Sequence, residues 1–485
     1  MLTHDVLMSV QTPPLTHRWR FRVMGLIALL VFIVGCSATA TPTDSRAGTS
    51  IPASPAQVEP SVSPAPTSSA VPGDTLAPVS PTRAVLPMPT ATVTLDVPEP
   101  DRPLLMAHFM PWYQAPEVSG YWGWHWTMDH FMPSKVDENG HRDIASYYQP
   151  LTGPYDSSDD AILEYQVLLM KLSGIDGVIV DWYGQEPFWD YGVLNASTHK
   201  LFDYVKRAGL RFAICYEDQT VKHMVDHHHL SVGDVYTHGQ AVMAYLQETW
   251  FREDAYLKVN GRPVLLVFGP QYFRNASDWD KLFSGLPERP ALITLDGHTE
   301  SAALSSYPWP PMWAGTGGVL SQERLEDYLV SFYKKAERWD YLVAGAFPGF
   351  KDIYAEAGLA SETRYLDPRD GETFRLTLRM ALEHQPDVIQ LITWNDYGES
   401  TSIEPTEEYG YRYLELVQET RRGMGADEFS FSAEDLRLPL WLFQARKRYA
   451  DDEEARAQLD QVFDAILGGD LEQARSILAH YPVGP

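Results

Sequence analysis

The sequence predicts an α/β protein: a (β/α)8 TIM barrel with a small C-terminal helical appendage. Three observations predict it. Eight short apolar runs recur over roughly 300 residues, at 104–110, 177–181, 211–216, 263–268, 291–295, 312–316, 341–347 and 388–394. The segments between them leave room for a helix or a long loop, and near-continuous apolar strands alternating with helices signal a parallel sheet. The ends of several runs carry aromatic and acidic residues, which is where barrels of this type keep their working groups.

The chain of 485 residues begins with a different kind of segment. Arg18, Arg20 and Arg22 precede a short apolar core, 23–34, which is short for a comfortable membrane span. The core ends in Ile33-Val34-Gly35-Cys36. This resembles the lipobox of bacterial lipoproteins and implies a signal peptide over 1–36, with Cys36 as the lipidated first residue of the mature chain. An uncleaved membrane anchor is the alternative. Either places the globular part outside the cytoplasm, lipid-anchored or otherwise tethered to the cell membrane.

Residues 37–102 hold thirteen of the 36 prolines and no aromatic residue. Such a stretch cannot bury enough apolar surface to offset the entropy of ordering, so it reads as a disordered Pro/Thr/Ser linker. The barrel is expected over 103–428. One of its helices is legible in detail. Ser158 is the expected N-cap, and Asp159 and Asp160 suit the first turn. Ile162, Tyr165, Leu168, Leu169 and Leu172 share a face, and Gly174 stops the helix. Residues 429–485 read as helix only, with a stripe of Ala455, Leu459, Val462, Phe463, Ile466 and Leu467.

Two cysteines, Cys36 and Cys215, exclude a disulfide framework in the mature domain, and Cys215 reads as a small core residue. A formal charge of −27 argues against a nucleic-acid partner, because binding phosphates needs clustered Lys and Arg. The run His223 to His229 places His223 and His227 on one face if helical, yet no third ligand follows at suitable spacing. No metal, cofactor or protein partner is expected.

The chemistry concentrates at 393–402, Thr-Trp-Asn-Asp-Tyr-Gly-Glu-Ser-Thr-Ser. Asp396 and Glu399 lie three positions apart where the eighth strand should end, beside Trp394, Asn395 and Tyr397. Cleaving a glycosidic bond needs one carboxyl to protonate the leaving oxygen and another to assist at the opposite face. Aromatic faces suit the C–H surfaces of sugars. Trp112 and Tyr113 follow the first strand, and Trp124, His125 and Trp126 lie in the next loop. Asp181 and Trp182 end the second strand, Tyr216 and Glu217 the third, and Tyr148 precedes the first long helix. All are candidates for contacting an oligo- or polysaccharide.

Three segments, 108–126, 147–159 and 394–405, resemble the glycoside hydrolase family 71/99 grouping. That grouping includes endo-α-mannosidases and endo-α-mannanases (family 99) and α-1,3-glucanases (family 71). The resemblance covers roughly residues 104 to 420. It implies that Glu399 is the general acid/base and that Asp396 matches the second acid, which in family 99 is a Glu that deprotonates the substrate's own 2-hydroxyl. Here it is one methylene shorter, and Trp-Asn-Asp-Tyr-Gly-Glu-Ser is closer to family 71, so inverting and retaining outcomes both stay open. Glu404 reads as a structural residue that positions this loop. The expectation is an exported, lipid-anchored glycoside hydrolase, endo-acting on α-linked mannan or glucan. The alternative is a catalytically silent carbohydrate-binding lipoprotein on the same barrel.

Overall fold

The computed structural model describes residues 102–296, 302–425 and 429–483. The leader with Cys36 and nearly all of the 37–102 linker lie outside the described residues. Among the described residues no helix is long and apolar enough to cross a membrane.

Eight parallel strands form the barrel: β1 (Leu104–Phe109), β2 (Gly177–Trp182), β3 (Arg211–Tyr216), β4 (Arg262–Val267), β5 (Ala291–Leu295), β6 (Ser305–Tyr307), β7 (Val343–Ala346) and β8 (Val388–Leu391). The hydrogen-bonded order is β6-β5-β4-β3-β2-β1-β8-β7, and its two ends lie side by side, so the barrel is nearly closed. Registers are regular: Leu104 pairs with Val388, Met106 with Gly177, and Gly177 with Arg211. Two glycines permit close approach. A Cβ on Gly177 would sit 2.1 Å from the Arg211 carbonyl oxygen. One on Gly345 would sit 2.8 Å from Pro308, where β7 meets the chain leaving β6.

The sixth strand corrects the sequence expectation. Residues 312–316 were expected to form it, but Met312–Ala314 is a 3-10 turn and the strand is Ser305–Tyr307. Pro308, Pro310 and Pro311 have no N–H to donate, so the ladder ends before them. A three-residue strand reading Ser-Ser-Tyr carries no apolar signature.

The helix after the first long loop, α1 (Asp160–Ser173), is capped by Asp159, whose carboxylate accepts from the Ala161 N–H at 2.9 Å. Ser158, the expected cap, instead meets the Ser197 hydroxyl at 2.9 Å. Gly174 ends the helix with a left-handed φ of 83°, a conformation that favours glycine. Its apolar face is buried as the spacing predicts.

Three helices follow the barrel: α2 (Leu438–Arg448), α3 (Glu453–Leu467) and α4 (Leu471–Leu478). They pack on α1. Arg446 makes a two-pronged pair with Glu164 at 2.9 and 3.0 Å, and Phe443 lies 6.0 Å from Tyr165. The stripe buries Ala455, Leu459, Val462, Phe463 and Ile466.

Candidate active site

The C-terminal ends of the strands surround a cleft that is open to solvent. Its wall is built strand by strand. β1 and the loop after it supply His108, Met110, Trp112 and Tyr113. A single helical turn, Trp124–Thr127, adds Trp124 and His125. β2 supplies Asp181 and leads into Tyr183, β3 leads into Glu217 and Gln219, and β4 into Phe268. Trp309 follows β6, Tyr354 and Leu359 come from the excursion after β7, and Asp396, Gly398 and Glu399 follow β8.

The loop after β8 is held from several sides. Asn395 is fully buried; its Oδ1 accepts from the Met110 N–H at 2.8 Å and its Nδ2 donates to the Met110 carbonyl at 2.9 Å. This clamps the end of β8 to the end of β1. The Tyr113 hydroxyl donates to the Asn395 carbonyl at 2.9 Å. Asp396 Oδ1 accepts from the Glu399 N–H at 3.0 Å, while the Asp396 N–H donates to the Thr393 hydroxyl at 2.8 Å. The spacing of three therefore forms a side-chain-closed turn that puts both carboxyls on one wall.

Beneath this turn lies Glu404, 1% exposed. Its carboxylate accepts from Tyr155 at 2.7 Å, Tyr397 at 2.6 Å and the Gln166 amide at 2.8 Å. Trp126 donates its indole N–H to the Tyr155 carbonyl at 2.8 Å and packs 5.5 Å from Tyr397. Glu404 thus positions the loop, as its sequence context suggested, and does not line the cleft.

Four carboxyls converge on the cleft. Asp396 is 5% exposed, Glu399 3%, Asp181 2% and Glu217 6%, values that leave little water to screen them. Burial, and then the negative charge of Glu399, holds Asp396 well above the ordinary carboxyl range. Burial raises Asp181 likewise. Glu217 is raised by burial and then by Asp181. Arg364 Nη2 lies 3.8 Å from Glu399 Oε1, and its Nε donates to Asp352 at 2.6 Å. Burial, mutual repulsion and a nearby cation are the influences that tune carboxyls for proton transfer, and all three act on this wall.

The aromatic wall is ordered. His125 stacks on Trp112 with ring centres 4.2 Å apart and planes 5° from parallel. Burial lowers His125 to about 3, so its 3.8 Å approach to Asp190 is not an ion pair at neutral pH.

The structure brings Asp396, Glu399, Trp112, Tyr113, Trp124, His125, Asp181 and Glu217 together. It places Trp126, Trp394, Asn395 and Tyr397, all fully buried, in the layer behind. Trp182 and Tyr216 also lie away from the cleft, because successive strand residues point to opposite faces and Asp181 takes the inward position. Trp182 donates to Asn195 at 3.0 Å and packs on Tyr245 and Trp250. Tyr148 packs against Tyr409, remote from the acid pair's wall. His223 and His227 lie against the Trp189 ring.

Tyr183, Gln219, Trp309, Tyr354 and Arg364 escaped the sequence reading. The first two adjoin expected strand ends, a signal that was available. Trp309 was masked by its prolines, and Tyr354 and Arg364 lie on a long excursion without periodicity.

The raised carboxyls have a consequence for stability. Asp181, Glu217 and Asp396 hold protons more tightly in the folded chain than in the unfolded one. The stability this contributes is fully present below the unfolded carboxyl range, around pH 4, and is lost as pH rises through the raised folded values. Asp181→Asn keeps the shape and removes the charge. It is expected to raise Tm at about pH 7 and change it little near pH 4; an equal change at both would contradict the assignment.

A parallel (β/α)8 barrel with acids and aromatics gathered at the strand ends defines the class to which this chain's site belongs. The chain is similar in sequence to curated endo-alpha-1,2-mannosidases. It is 24% identical over 350 residues to the glycoprotein endo-alpha-1,2-mannosidase of Mus musculus, covering 66% of this chain and 71% of that protein. It is 22% identical over 314 residues to a glycoprotein endo-alpha-1,2-mannosidase-like protein of Danio rerio, covering 60% and 69%. Among solved structures, it is similar to the family 99 endo-alpha-mannosidase from Bacteroides thetaiotaomicron, at 20% identity, with 66% of this chain and 97% of that chain covered and a TM-score of 0.48. No family model matches the chain.

Proposed function

We propose that this chain is an exported, lipid-anchored glycoside hydrolase that cleaves internal bonds of an α-linked mannan or glucan. Glycoside hydrolysis is its reaction class. The observation that carries the reading is the convergence of buried carboxyls with an aromatic wall at the C-terminal end of the barrel. Sequence similarity to proteins named endo-α-mannosidases supports the α-mannosidic choice. Glu399 protonates the glycosidic oxygen and then takes a proton from the attacking water. Asp396 assists at the anomeric carbon, and Asp181 and Glu217 bind sugar hydroxyls. Trp112, Trp124 and His125 form the platform on which the ring lies.

The test is hydrolysis of α-1,2-mannan, α-1,6-mannan and α-1,3-glucan, with products identified by mass. Oligosaccharide release from one polymer names the linkage; release from none removes the reading. Anchoring through Cys36 is checked by fractionation: an aqueous full-length chain without attached lipid would remove that part.

A further inference from the structure

Below the acid wall, three potential metal ligands meet inside the barrel. His108 on β1, Asp181 on β2 and Cys215 on β3 each offer a ligand atom, and these atoms all lie within 4.8 Å of one another. Asp181 and Cys215 are register partners on adjacent strands. His108 and Asp181 line the cleft, and Cys215 is fully buried beside Asp181. His108 Nε2 and Asp181 Oδ1 are buried without a hydrogen-bond partner among the described residues. A buried polar atom left unpaired is costly, so the arrangement suits a bound ligand.

We propose that His108, Asp181 and Cys215 bind a borderline-soft divalent cation of the Zn2+ class at the floor of the cleft, and that filling this site stops turnover. The donor set of imidazole, carboxylate and thiolate is one that Zn2+ accepts, with distances of about 2.0–2.3 Å. Closing three ligands onto an ion at those distances needs inward side-chain shifts on the order of an ångström. The fourth position opens to the cleft.

The surrounding residues fit this use. His108 Nδ1 meets the Gln390 amide at 2.7 Å, and Gln390 Oε1 has no partner. With the amide turned over, Nδ1–H donates to Oε1 and the Nε2 lone pair is free, the tautomer of a metal-bound histidine. On binding, Cys215 and Asp181 each give up any proton they hold to water, and the carboxylate and thiolate balance the charge of the ion. A cation there also takes Asp181, which lines the cleft, away from substrate. The Cys215 thiol meets the Tyr307 hydroxyl at 3.5 Å.

Inhibition rests on the proposed hydrolase reading; binding does not, so the two are read separately. The full chain, freed of metal, is titrated with Co2+. The expected result is one ion per chain with visible tetrahedral bands and a thiolate charge-transfer band, both displaced by Zn2+. Cys215→Ala and the more conservative Cys215→Ser lose the charge-transfer band, keep hydrolysis and become insensitive to Zn2+. Absence of the thiolate band, or Zn2+ inhibition that persists in the two variants, would overturn the proposal. If the chain hydrolyses nothing, the Co2+ spectrum still decides the site.

Discussion

Glu399→Gln is expected to lower hydrolysis by about 10²–10⁴-fold while folding and glycan binding persist. Glutamine keeps the shape of the side chain but neither donates nor accepts the catalytic proton. The hydrogen bonds that hold position 399 in its turn run through its backbone, while its carboxyl lies 3.8 Å from Arg364 Nη2. Its N–H donates to Asp396 at 3.0 Å, its carbonyl accepts from the Lys351 N–H at 2.9 Å, and Gly398 accepts from the Ile353 N–H at 3.0 Å. Substitution leaves all three in place. Loss of rate with unchanged Tm is therefore a statement about chemistry. Unchanged initial rates would remove Glu399 from the mechanism.

Glu404→Leu is expected to be the most damaging change to the fold around the site. The carboxylate accepts from two tyrosine hydroxyls and one amide, all buried. Leucine strands three donors at about 1–3 kcal/mol each, so a loss of about 3 kcal/mol or more follows. Tyr397 belongs to the turn that carries Asp396 and Glu399, so turnover should fall together with stability. Burial raises Glu404 while its three donors pull the other way, which makes Glu404→Gln the informative companion. Glutamine retains one acceptor but turns an N–H2 towards hydroxyl donors, and its Tm should lie between those of leucine and the native chain. Denaturant unfolding of the three proteins measures this, and equal stability across them would contradict the assignment.

The parts legible in the sequence were those set by local pattern. Near-continuous apolar runs located seven of the eight strands, because a strand covered on both faces leaves that mark. The apolar run before Asp396 and Glu399 put both acids at the end of the eighth strand, and the structure adds that the first side chain closes onto the second backbone N–H. What was illegible depended on direction and distance. Trp182 and Asp181 are neighbours in sequence, yet strand alternation sends one into the cleft and the other against Trp250. Trp126, Trp394 and Tyr397 looked like sugar platforms and instead pack the layer that steadies the loop. Arg364 reaches Glu399 from a segment whose sequence has no period, a juxtaposition that only the folded chain reveals. The sixth strand went unread because three residues and a proline block leave no pattern.

The most direct measurement follows a defined-length α-1,2-linked manno-oligosaccharide incubated with the chain in heavy-oxygen water, the products read by mass. The account predicts cleavage at internal bonds, with one heavy oxygen at each new reducing end and none formed by Glu399→Gln. Intact oligosaccharide that nevertheless binds the cleft would contradict hydrolysis of this linkage; if the same holds for the α-1,6-mannan and α-1,3-glucan series, the cleft binds sugar without breaking it.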